Sequence, residues 1–364
     1  MPAARRSGMS APHRRFVQRI ALIAALTLAT ALLCAPAYSR EYERVTVSAG
    51  GRLVSAIVVR APLSRYRLGV ALAGTRVGDN AWLASIARSS GAACAINGTF
   101  FAAYAGETRE PYGTLVIDGR LVHLGDFGTR LDVFDDGRVR LVPDRLQIRG
   151  SLDGNDAYPD NWYAYNLNQT PTSATGAYIY TPDRGPALGF AADLAITALG
   201  GRIVSIARDA DVAIPPNGFV LALEGREVDV LGWKFRPGQR IAYAAVQDGE
   251  PLRTRFSLSA GPRLVADGAA VVDAAAEGFH DPKILAYRGT RSIIGITADR
   301  QVLLAVVGSV TIPEAAEAAL GLGAVDAMNL DDNASSSLVC GGTYLVHPGR
   351  PVANALVLWP LEAP

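Results

Sequence analysis

Two polar knots stand at the ends of apolar runs, and they are the places where this chain could do chemistry. Asn97-Gly98 follows Cys94-Ala95-Ile96, and Asp331-Asp332-Asn333-Ala334-Ser335-Ser336-Ser337 follows Ala327-Met328-Asn329-Leu330. Each knot stops an apolar stretch with amides, hydroxyls or carboxylates, the groups that bond ligand oxygens or move a proton. Ligand sites often lie at such strand ends. Taken singly, each knot is also an ordinary turn, because Asn, Asp and Gly favour turns. A further reading takes the oxygens of Asp331, Asp332 and Asn333 as ligands for calcium, a hard cation that prefers oxygen. Several other chemistries lack their residues. The only lysines, Lys234 and Lys283, sit in no glycine-rich phosphate loop. Beyond residue 37 the histidines are His123, His280 and His347, none at zinc-ligand spacing from another. No G-x-S-x-G elbow offers a serine nucleophile.

The elements that must hold the knots are mostly strands. Val45–Ser48, Arg52–Val59 and Arg67–Leu72 are short runs with β-branched residues, parted by Gly, Pro and Ser. Asn80 predicts an N-cap for a helix over 81–89, which Gly91 ends. Asp118-Gly119 and Asp135-Asp136-Gly137 are hairpin turns between apolar runs. Residues 150–190 mix Tyr158, Trp162, Tyr163, Tyr165, Tyr178 and Tyr180 with Asn, Asp, Thr and Pro. Rings among polar residues suit a sugar-facing surface, and equally a long surface loop with anchoring aromatics. Near the end, Ile293–Thr297 and Val302–Val307 predict a hairpin. A helix follows over 313–322, with Thr311 as N-cap, Pro313 near its first turn and Gly323 as its stop.

The first residues have another logic. Arg5, Arg6, Arg14, Arg15 and Arg19 precede an apolar run of about 14 residues, short of the roughly 20 that span a bilayer. Ala35-Pro36-Ala37 then supplies the small residues of a cleavage site. The pattern predicts a secretory signal over 1–37, a mature chain from Tyr38, an exported protein and no membrane anchor once the signal is cut. The signal carries five arginines and no acid, so its loss takes the formal charge from +1 down by five to −4. Such a balance argues against a nucleic-acid partner, which needs a basic face. Cys94 and Cys340 remain. In an oxidising compartment they have one possible pairing, and the alternative is two buried free thiols.

Five segments in order resemble the phosphodiester glycosidase family. They are Ala95-Ile96-Asn97-Gly98-Thr99-Phe100-Phe101; Asn166-Leu167-Asn168 with Ile179-Tyr180-Thr181-Pro182; Ala260–Val265; Arg291–Asp299; and Ala327–Ser336, followed by Arg350-Pro351-Val352-Ala353-Asn354-Ala355-Leu356. The resemblance implies a mixed α/β (α+β) fold, strand-rich, as a single large domain with a central sheet and a few helices. It divides the chain into the signal, an N-terminal lead-in over 38–91 and the glycosidase-like domain over 92–364. The implied reaction is hydrolysis of sugar-1-phosphodiesters, with a carbohydrate or sugar-phosphate partner. Such chemistry needs a carboxylate near the anomeric carbon and donors for the phosphate. Asp331 fits the first need and Arg291 the second, with Asn97 completing the catalytic set. Gly98, Ser335, Ser336, Asn168 and Tyr180 are the implied substrate contacts. By the same resemblance Asn97, Arg291 and Asp331 are expected to line one pocket, and Cys94 and Cys340, each next to a resembling segment, to lie close together. This sequence departs from the family where glycines follow the motif aspartate: here stand Asp332, Asn333 and Ala334. Those replacements favour an alternative reading, a glycan-binding or exopolysaccharide-handling protein that kept the fold without turnover.

Overall fold

Frequent Gly, Asp and Pro breaks leave runs too short for crossover helices, so neighbouring strands close as antiparallel hairpins. A computed structural model describes residues 42–361 except 105–108 and 126. The expected signal over 1–37 lies outside the described residues. Among the described residues five sheets form, one of seven strands, three of five and one of four, and every strand pairing there is antiparallel except that of Asn166–Leu167 with Gly176–Tyr180. The expectation of a mixed α/β fold around one central sheet is therefore corrected to a mainly β architecture with several sheets. Among the described residues the helices are few and short, Leu83–Ser89, Arg226–Leu231, Pro282–Leu285 and Ile312–Gly321.

The seven-stranded sheet runs in the order 42–49, 52–62, 301–310, 289–297, 324–329, 263–266, 269–270. Period-two alternation gives its central strands two buried faces. Leu303, Ala305 and Val307 pack under the Ile312–Gly321 helix through Ala315, Ala316 and Ala319. Val302, Leu304 and Val306 face the other way, onto Leu68, Ile96, Leu258, Leu338 and Leu356. That second layer includes a five-stranded sheet in the order 343–346, 338–340, 94–97, 354–360, 66–72. Strands 52–62 and 66–72 thus pair with strands from the far end of the chain.

Local signals hold at most ends. Thr311 caps the 312–321 helix in a full capping box with Glu314, and Pro313 lies in its first turn. Asp118 and Gly119 both take positive φ, as a tight hairpin turn requires. Asn80 fails as a cap. Trp82 holds the N-cap position of the 83–89 helix, while the Asn80 amide donates to Gly78 O at 3.1 Å. Cys94 and Cys340 are direct cross-strand partners joined by a disulfide, with Cα atoms 4.1 Å apart across a separation of 246 residues.

Candidate functional site

The two knots meet because their strands end at the same rim. Asp331 N donates to Gly98 O at 3.0 Å, directly tying one knot to the other. Asn97 locks the junction from within. Its side chain is fully buried, with Nδ2 donating to Asp331 O at 2.6 Å and Oδ1 accepting from Ser292 Oγ at 2.8 Å and Ser337 N at 3.0 Å. One amide thereby fixes three segments, those of Asp331, Ser292 and Ser337. Gly98 follows because nothing larger fits: a Cβ there would meet Asn354 Oδ1 at 2.0 Å. Asn354 Oδ1 in turn accepts from Thr99 N.

Asp331 stands at the head of this arrangement. It lines a cavity of about 710 Å³ together with Phe101, Tyr112, Tyr287, Arg288 and Arg350. Its Oδ1 accepts from Asp332 N at 2.9 Å, whereas Oδ2 is buried without a hydrogen-bond partner. Burial pushes its pKa up to about 7. A hydrogen bond from Ser335 and the Arg350 charge pull the other way, and the nearby Asp332 charge adds to the rise. A carboxyl poised there can give or take a proton at neutral pH.

The cation facing Asp331 is Arg350, a residue absent from the expected site. Its Nη2 lies 3.6 Å from Asp331 Oδ2, and its Nε donates to Ser335 Oγ at 2.8 Å. The guanidinium sits 5.2 Å from the Phe101 ring centre and 5.4 Å from that of Tyr104, so flat rings hold it in place. Arg288 also lines the cavity but is paired with Glu314. The signal for Arg350 was present in the sequence, since it opens the last resembling segment.

Arg291 takes a different place. It is fully buried behind the cavity wall, ion-paired with Asp332 and donating Nη2 to Tyr287 O at 2.6 Å. The expectation that Asn97, Arg291 and Asp331 line one pocket is corrected accordingly. They do gather within one hydrogen-bonded cluster, yet of the three only Asp331 reaches the cavity surface. Ser335 is buried and acts through Arg350, while Ser336 Oγ donates to Thr290 O at 3.3 Å. Asn168 and Tyr180 do not line this cavity. Asn168 bonds Val122 O and Thr181 beside a separate hollow that holds Glu110 and Arg184. The Tyr180 hydroxyl donates to Gln169 O at 2.8 Å.

The calcium expectation fits poorly. No group of three or more His, Cys, Asp or Glu side chains is arranged to hold a metal among the described residues. Asp332 is already ion-paired with Arg291 and accepts a hydrogen bond from Asn333, and the Arg350 guanidinium stands beside Asp331. The altered turn itself is sound. Asn333 has φ of +53°, the one left-handed position, and Asn tolerates that region. Asp332 is extended, with φ of −127°, so its backbone has no need of glycine.

Residues 192–359 match the phosphodiester glycosidase family model. That span, a little under half of the chain, is similar to the family that the ordered segments resemble. The span holds Arg291, Asp331 and Arg350, while Asn97 lies before it. A search of the curated proteins gave no match. Among solved structures, a hypothetical protein from Synechocystis aligns with TM-score 0.74 and 22% identity over 87% of this chain; the chain spans 61% of that protein. A putative exported protein from Burkholderia pseudomallei K96243 aligns with TM-score 0.66 and 24% identity, covering 85% of this chain and 74% of its own. The zebrafish N-acetylglucosamine-1-phosphodiester alpha-N-acetylglucosaminidase catalytic domain, auto-inhibited by its pro-peptide, gives TM-score 0.47 and 12% identity over 88% of this chain and 84% of that one.

Proposed function

We propose that this phosphodiester glycosidase family chain hydrolyses the bond between a sugar's anomeric carbon and a phosphodiester oxygen. The observation that carries the reading is Asp331: a buried carboxyl with one free oxygen, opening on a cavity beside a guanidinium. A departing phosphate monoester has a second pKa near 6 and leaves without prior protonation. The step that needs help is therefore the attack of water. Asp331 takes the water proton as its oxygen bonds to the anomeric carbon. The carbon–oxygen bond to phosphate breaks, and Arg350 receives the charge on the leaving phosphate. The products are the free sugar and a phosphate monoester. Tyr104, Tyr112 and Tyr287 stand exposed at the cavity mouth, where ring faces can stack on a pyranose.

We place the protein outside the cytoplasm. The arginine-led apolar start and the disulfide support export, and the similar Burkholderia chain is itself called a putative exported protein. No helix of the described residues is long and apolar enough to cross a membrane. A second reading, a glycan-binding or exopolysaccharide-handling protein without turnover, draws on Asp332, whose carboxylate takes up Arg291. Purified protein assayed on a panel of sugar-1-phosphodiesters decides between them. Release of free sugar that disappears in Asp331→Asn supports hydrolysis; glycan binding with no release from any diester supports the second reading.

A further inference from the structure

A second cavity, larger than the one at Asp331, lies elsewhere on the protein. A groove of about 800 Å³ runs along the outer face of strands Gln147–Leu152 and Asn161–Ala164, and it shares no lining residue with the Asp331 cavity. Antiparallel pairing sets Tyr163 directly opposite Arg149, with Ala244 as the next neighbour in the row. Directly opposed residues share a face. This face therefore carries Gln147, Arg149, Asn161 and Tyr163, while Ile148 and Trp162 point into the core behind it. Tyr165 continues the same edge, its ring 5.4 Å from that of Tyr163.

Two features set this face apart from ordinary solvated sheet. The tyrosines are held rigid: Tyr163 and Tyr165 both donate their hydroxyls to Glu227, at 2.7 and 3.2 Å. With the hydroxyl ends pinned, the rings cannot swing, and Tyr165 remains half exposed. In addition, the side chains of Arg145, Gln147 and Arg149 have no bonding partner among the described residues, although all three line the groove. Fixed rings and free donors along one trough match the two faces of a sugar, an apolar ring face and a hydroxyl or carboxylate edge. Charge selects further. Arg145 and Arg149 stand against one exposed acid, Asp156, because Asp144 is buried and committed to Arg130.

We propose that this groove is a second carbohydrate site, which binds an acidic glycan strand by stacking on Tyr163 and Tyr165 and pairing carboxylates or phosphates with Arg145 and Arg149. It is independent of the hydrolytic site. Such a site would hold a polymer on the protein while its ends or branches reach other surfaces. The test uses the whole protein, titrated calorimetrically with a galacturonic acid hexamer and with its fully methyl-esterified, neutral counterpart. The acidic hexamer should bind, more weakly as salt rises, and the ester should bind about tenfold less well. Arg145→Ala with Arg149→Ala, and separately Tyr165→Ala, should each weaken binding about tenfold. Tyr165→Phe keeps the ring and should retain most of it, and Asp331→Asn should leave it unchanged. These side chains are exposed or at the surface, so the variants should keep the wild-type unfolding temperature. No binding at millimolar hexamer would overturn the proposal. So would equal binding by the groove variants, equal binding of the ester, or loss of binding in Asp331→Asn alone.

Discussion

Asp331 differs from an ordinary surface carboxyl through burial, and that difference has two measurable consequences. Its folded pKa is raised to about 7, so the folded state holds a proton that the unfolded chain has released. Stability attributable to this group is therefore highest below its ordinary range and falls as pH rises toward 7. Asp331→Asn keeps the Oδ1 acceptor for Asp332 N and removes the charge. Its stability relative to wild type should grow between about pH 4 and 7, reaching at most about 4 kcal/mol above that window. Thermal unfolding of both proteins across pH checks this, and a constant difference would contradict it. Turnover should move oppositely. As the base, Asp331 should give kcat/KM that rises through about pH 7 in wild type, and Asp331→Asn should lose at least about a hundredfold.

The two arginines make a second pair of opposites at the same scale. Arg350 borders the cavity with its guanidinium partly exposed, so Arg350→Ala should raise KM and lower kcat with little change in unfolding temperature. Arg291 is wholly buried against Asp332. Arg291→Ala strands a buried carboxylate and should destabilise the protein by about 3–5 kcal/mol. Asp332→Gly removes the carboxylate from the guanidinium, which keeps its bond to Tyr287 O, and should cost less. If Arg291→Ala instead abolished binding in a protein of unchanged stability, the structural role given to it here would be wrong.

At the scale of elements, the site is a junction of strand ends, and Asn97 is its fastener. From the end of strand 94–97 its amide reaches Ser292 within strand 289–297, Ser337 just before strand 338–340, and Asp331, through three hydrogen bonds. Asn97→Ala should cost about 3 kcal/mol, from bonds worth about 1 kcal/mol each. Because Asp331 then loses this anchor, kcat should fall more than KM rises, although Asn97 does not line the cavity. The 312–321 helix gives a contrasting control on the far side of the seven-stranded sheet. Thr311→Ala removes its cap and should cost about 1 kcal/mol without altering catalytic constants. The 331–337 turn shows how an element can absorb unusual residues. Only Asn333 occupies a left-handed position, so Asn333→Gly should leave the turn intact.

Across the whole molecule, chain ends are stitched to each other rather than to sequence neighbours. Strand 66–72 pairs with 354–360, and 94–97 lies between 338–340 and 354–360. The Cys94–Cys340 disulfide crosses that same sheet beside the Asp331 junction. Reduction should lower the unfolding free energy by about 2–5 kcal/mol, read from denaturant midpoints with and without dithiothreitol. A midpoint indifferent to reductant would show that the paired strands alone hold this closure.

Strands, turns and the 312–321 helix were legible in the sequence because their causes are local: alternation of apolar residues, glycine and aspartate at turns, and a capping box. The ordered segments also pointed to the family whose model residues 192–359 match. Other outcomes needed the folded chain. A mixed fold with one central sheet was expected, yet short runs closed by tight turns stack as several antiparallel sheets, and no local pattern states how many. Arg291 and Arg350 are both arginines beside resembling segments. Their different roles depend on which one strand geometry points into the core. Asn168 and Tyr180 share the segments' order but not their place, since order along the chain does not fix distance in space. The groove over Arg149 and Tyr163 arises from strand register, which sets residues from separate runs side by side. Sequence thus determined which groups are available and where strands begin and end; burial and register decided which carboxyl is raised, which guanidinium faces solvent, and which rings are free to stack.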